Sequence, residues 1–164
     1  MNDAHFHLVV NHFPIIGLFF GIGILLYGII KKNSTVISIA YVLFIFCMIM
    51  GKVSMFSGEK AEDIVENLGI SKDIIHEHEE VAEGFMKVMY VLGIASIAGM
   101  YLNAKKHSKS ILMSYVVLTI SIIGLVLSRS VGTTGGEIRH TEIRANATTV
   151  AEPINAGETE EEDD

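Results

Sequence analysis

Residues 8–30 read LVVNHFPIIGLFFGIGILLYGII, and no aspartate, glutamate, lysine or arginine interrupts them. A hydrocarbon layer about 30 Å thick is crossed by about 20 apolar residues of helix, so this stretch is long enough to span one. Three further stretches of the same kind follow, at 35–57, 84–103 and 110–131. They explain why half of the 164 residues are apolar and the mean hydropathy is +0.46. In lipid, backbone N–H and C=O groups must pair within the segment or around a closed barrel. The runs lack the alternation of barrel strands. The sequence therefore predicts an all-α integral membrane protein.

The joints between the runs set the expected topology. Residues 31–34 and 104–109 are too short for anything but antiparallel neighbours, which predicts an up-down-up-down four-helix bundle over residues 1–140. The first run follows Asp3 and histidines instead of lysines, and no small-residue cleavage site comes after it, so it is expected to stay in the mature chain. Residues 58–83 form an outer loop in which Ala61, Ile64, Val65 and Leu68 recur at helical spacing up to Gly69, predicting a short amphipathic helix on the outer surface. Ser71 is placed to cap the next helix. Residues 141–164 have no apolar periodicity and end in an acidic run, which predicts a disordered tail.

Charge gives the orientation. Lys31, Lys32, Lys105, Lys106 and Lys109 occupy the two short joints with no acidic residue among them, and short cytoplasmic loops accumulate such cations. Both termini and the acidic 58–83 loop are thus expected on the opposite side. The net charge of −7 argues against nucleic acid as a partner. The single cysteine, Cys47, has no partner for an internal disulfide, and Met48, Met50, Met55, Met86 and Met89 read as packing material before they read as thioether ligands. Gly17 and Gly21 form a small-xxx-small pair suited to close helix packing.

On this topology every histidine except His107 falls at an outward helix end. His5, His7 and His12 open the first run, His76 and His78 open the third, and His140 follows the fourth. Imidazoles from distant segments that meet in one place suit a metal ion or haem iron. Lys52, Lys87 and Arg129 lie inside the apolar runs, where a charge is costly and is expected to meet an anion such as a haem propionate, Glu83 or a quinone headgroup.

His7 with His12-Phe13-Pro14-Ile15, then Ser57-Gly58-Glu59, His78-Glu79-Glu80 and Gly135-Gly136-Glu137-Ile138-Arg139-His140 resemble, in that order, the bacterial domain-of-unknown-function family 2231. The resemblance covers about residues 6–140 and implies a four-span protein of a bacterial inner membrane, with periplasmic termini here. It also implies a site at His7, His12, His78 and His140. This chain departs from the commoner pattern in its longer, more acidic outer loop.

Haem b is the ligand expected first. The first and third helices lie on one diagonal of such a bundle, so His12 or His7 with His78 can face iron from two sides, with Gly58, Gly135 and Gly136 leaving room for the macrocycle. Arg129, Arg139 and Lys87 are expected to pair with the propionates. Counting about 1.5 Å per residue puts His78 level with His7 and His12 deeper, unless Pro14 kinks the first helix. The expected role is one-electron transfer with quinol or a periplasmic carrier. Alternatives are a copper, iron or zinc ion on His7, His12, His78 and His140 with Glu79, Glu80 or Glu83, or a non-catalytic subunit of a homo-oligomer or larger membrane complex. No P-loop, GxSxG, HExxH, CxxC or CxxCH occurs, so no familiar enzyme class is indicated.

Overall fold

A computed structural model describes residues 2–144, and the expected tail lies almost wholly outside them. The described chain is helical throughout: α1 (Asp3–Val10), α2 (His12–Ile30), α3 (Ser34–Asn67), α4 (Lys72–Ala104) and α5 (Ser110–Arg139), with a final 3₁₀ turn at Thr141–Ile143. Taken together α1 and α2 form one long apolar element, and this element, α3, α4 and α5 are each long and apolar enough to cross a membrane. The packed pairs are α2 with α3, α3 with α4, α4 with α5 and α5 with α2, a closed ring, while α1 rests on α3.

Contacts across the ring fix the local directions. Met86 meets Gly51, Met48 meets Gly93 and Tyr41 meets Gly99, so α3 and α4 run past each other in opposite senses. Gly17 and Gly21 lie against Cys47 and the Phe44 ring so closely that a Cβ on either would collide with them. Their small-residue pair therefore serves the α2–α3 contact, in line with the role of small residues between apolar helices. The methionines are packing residues: Met86 and Met89 are buried, and Met48 fills the space opposite Gly93.

Leu18, Leu25, Phe44, Met89 and Leu92 belong to an apolar core, to which α5 presents smaller and more polar residues. Ser114, Val117, Ser121, Gly124, Ser128 and Thr134 form the buried stripe of α5, whereas Ile122, Ile123 and Val126 of the same helix are exposed. Each buried hydroxyl on that stripe donates to its own helix: Ser114 to the Ser110 carbonyl at 3.1 Å, Ser121 to Leu118 at 2.8 Å, Ser128 to Leu125 at 2.8 Å and Thr134 to Ser130 at 3.1 Å. Such back-bonding satisfies a polar group without a cross-helix partner. Tyr41 and Ser114 add one buried bond between α3 and α5, at 2.9 Å.

Both lysine joints are built alike. Asn33 caps α3 by accepting from the Thr35 and Val36 amides, and Lys32 and Lys106 each adopt φ 50° to turn the chain. Ser71 caps α4 as expected, its Oγ accepting from the Asp73 amide at 3.3 Å.

Two expectations are corrected. The amphipathic segment after residue 58 is helical, but it is the last part of α3 and not a separate helix lying on the surface. Gly58 is flanked by good helix formers and no proline, so nothing stops the helix before Gly69, whose φ of 84° ends it. The first run is not one unbroken helix from residue 8, because α1 begins at Asp3 and the ladder is interrupted at Asn11. Pro14, three residues on, has no N–H for the Val10 carbonyl and its ring crowds that turn.

Candidate functional site

His7 and His78 are the two histidines that the fold turns inward. His7 lies on α1, half-buried against α3, with Nδ1 2.9 Å from Ser57 Oγ and 3.1 Å from the Ser54 carbonyl. Ser57 Oγ itself donates to the Ser54 carbonyl at 2.8 Å. His78 lies on α4, half-buried against the end of α5, with Nδ1 2.9 Å from Thr134 Oγ1. Thr134 Oγ1 in turn donates to the Ser130 carbonyl at 3.1 Å.

With each hydroxyl proton on its helix carbonyl, the oxygen accepts from Nδ1–H of the imidazole. Nε2 is then left with a lone pair, and neither Nε2 has a hydrogen-bond partner among the described residues. A neutral imidazole that keeps the Nε2 lone pair is the form that binds a metal.

A glycine lies under each ring. A Cβ on Gly58 would stand 3.3 Å from His7 Cε1, and one on Gly135 would stand 3.0 Å from His78 Cε1. Each half of the bundle thus carries a histidine on one helix and a hydroxyl-glycine pair, Ser57-Gly58 or Thr134-Gly135, on the next. The two histidine-hydroxyl separations are 50 and 56 residues. Lys32 and Lys106, the turn residues with φ 50°, fall midway in each interval. In an antiparallel hairpin, residues equidistant from the turn sit at the same height, which is why each histidine finds its hydroxyl.

The remaining expected site residues are placed elsewhere. His12 is exposed and its Nδ1 turns back to the Leu8 carbonyl of its own helix at 3.2 Å. His140 is exposed at the end of α5 and bonds Glu142 at 2.9 Å. Lys87 pairs with Glu83 at 3.9 Å, and Arg129 and Arg139 are exposed, so none of these cations is held at the histidine pair. Glu79 and Glu80 face His76, at 3.9 and 3.5 Å. Among the described residues no group of three or more His, Cys, Asp or Glu side chains is gathered to hold a metal ion.

Ser54, Ser57 and Thr134 were not singled out from the sequence as partners of the imidazoles. The recurrence of a hydroxyl residue before a glycine at matching distances from the two lysine turns is the signal that marks them. Asn11 Oδ1, at the break between α1 and α2, is buried without a partner among the described residues.

Comparison with family models, with curated proteins and with solved structures finds no match to this chain. The expected resemblance to family 2231 finds no support in these comparisons.

Proposed function

We propose that this chain is a bacterial inner-membrane protein of up-down-up-down topology, with periplasmic termini, that holds one haem b between His7 and His78. The single observation that carries the haem reading is the matched pair of imidazoles, each fixed by Nδ1 on a hydroxyl and each offering Nε2. Hydrogen bonding of the distal ring nitrogen orients a ligating histidine and raises its basicity. The number of donors favours haem over a bare ion. A zinc, copper or iron ion asks for about four ligands, or three with an open position. Haem iron receives four nitrogens from the porphyrin and asks the protein for two.

The residues present fit the group in this respect. Gly58 and Gly135 give each imidazole its seat, and His7 and His78 as neutral rings with Nδ1–H would hold the iron through Nε2. When bound, haem iron supplies one-electron chemistry, with quinol or a periplasmic carrier as the exchange partner. The chain's own contribution is to hold the two rings, His7 against Ser57 and His78 against Thr134.

Membrane insertion is supported by the arrangement of side chains. Large apolar residues such as Phe19, Phe20, Ile94, Ile97 and Val126 face outward, while the buried stripe of α5 is mostly serine, threonine and glycine. Lipid is the solvent that such a surface suits. The lysines of the two joints favour the cytoplasm for that end.

The test is a haem assay on the full chain, purified in detergent from cells supplied with haem precursor. One haem b per chain is expected, with none retained by His7→Ala or His78→Ala. Colourless protein in spite of the supply, or full haem in either variant, contradicts the proposal.

A further inference from the structure

A second feature lies apart from the histidine pair, in the open cleft between α3 and α4 lined by Lys52, Met55, Phe56, Glu59, Glu83, Met86, Lys87 and Tyr90. Both walls have the same construction. On α3 the lining residues Lys52, Met55, Phe56 and Glu59 fall at helical intervals of three, one and three, and on α4 Glu83, Met86, Lys87 and Tyr90 repeat them. Each helix therefore presents a single stripe of charged residues with apolar residues between.

The charges are layered. Because α3 and α4 run in opposite senses, Glu59 and Glu83 both stand toward the histidine end and Lys52 and Lys87 both stand toward the middle of the bundle. The axial offset is about 10 Å on α3 and about 6 Å on α4, at about 1.5 Å per residue. Lys52 has no ion-pair partner among the described residues, and Lys87 is tied only to Glu83 by an exposed contact of 3.9 Å. A contact of that kind contributes little and exchanges readily. Beyond the cleft the same side of α4 continues as exposed Val91, Ile94 and Ile97.

We infer that this cleft binds the headgroup of an amine-bearing phospholipid, of the phosphatidylethanolamine class. The inference rests on the membrane reading above and not on haem. In such a lipid the phosphate lies nearer the acyl chains and the ammonium lies two carbons further out. Lys52 and Lys87 then face the phosphate, Glu59 and Glu83 accept from the primary ammonium, and the acyl chains run down the apolar surface of α4. A choline headgroup has no N–H to donate, and a glycerol headgroup has no cation. The lysines alone suit any phospholipid; the carboxylates above them select the amine.

Native mass spectrometry of the full chain tests this, with the protein released from detergent micelles doped equally with palmitoyl-oleoyl phosphatidylethanolamine, phosphatidylcholine and phosphatidylglycerol. The wild type is expected to retain one phosphatidylethanolamine about tenfold over the other two, as a charge-assisted hydrogen bond provides. Lys52→Gln with Lys87→Gln should abolish retention of all three. Glu59→Gln with Glu83→Gln should retain lipid and lose the selectivity. Equal retention of the three lipids by the wild type, or unchanged retention in the lysine pair, overturns the inference. Carbonate washing of the source membranes separates the two levels. A chain that stays embedded and shows no selectivity refutes the lipid site alone, and a chain that washes off refutes the membrane reading with it.

Discussion

The imidazole of His78 stands over Gly135 with Cε1 3.0 Å from the point where a side chain would begin, and both ring nitrogens 3.5 Å from it. Alanine at 135 cannot enter without moving the ring. Gly135→Ala should therefore weaken haem binding on the order of tenfold, within the range seen when the groups that orient a ligand are disturbed. Gly58→Ala, with 3.3 Å of clearance from His7, should have a smaller effect. Gly132 on the same helix has nothing within 4 Å, so Gly132→Ala should leave haem untouched and stabilise α5 by up to about 1 kcal/mol. Haem titration and thermal melting of the three variants check the order.

The hydroxyls are not equivalent. Thr134 is the one hydrogen-bond partner of His78 Nδ1 among the described residues, whereas His7 keeps the Ser54 carbonyl at 3.1 Å if Ser57 is lost. Thr134→Val should cost more haem affinity than Ser57→Ala, about tenfold against a few-fold. It should also shift the reduction potential, a readout that a general loss of packing does not produce. Redox titration of the two variants distinguishes them.

The apolar length of four segments, the two lysine turns and the Ser71 cap were legible because each depends on nearby residues alone. The interruption at Asn11 followed from Pro14 in kind but not in place. The α3 extension was read as a separate helix because its composition changes at Glu59, although composition does not break a helix and glycine with positive φ does. At the site, His7 and His78 were visible as candidates, but their selection over His12 needed rotation about the helix axis. In the structure His7 faces α3 on α1, whereas His12, past the interruption at Asn11, is exposed. The hydroxyl partners were hidden because pairing across 50 residues depends on how two helices meet. The propionate role given to Lys87, Arg129 and Arg139 came from depth along the chain and missed that these side chains point outward.

Orientation can be read with introduced cysteines, since the native Cys47 is fully buried and stays silent to a bulky reagent. In whole cells a membrane-impermeant maleimide should label Asp73→Cys, on the first turn of α4, and leave Ser108→Cys, in the lysine joint, unlabelled. Opening the cells should expose the second. Labelling of Ser108→Cys from outside reverses the topology.

The central claim, two imidazoles on one iron, is tested most directly by the absorption spectrum of the purified full chain, oxidised and then reduced with dithionite. Six-coordinate low-spin haem b is the expected result, lost in His7→Ala and in His78→Ala, and unchanged in His12→Ala and His140→Ala. A wild-type spectrum without haem bands after reconstitution with hemin, or a low-spin spectrum that survives loss of either His7 or His78, contradicts it.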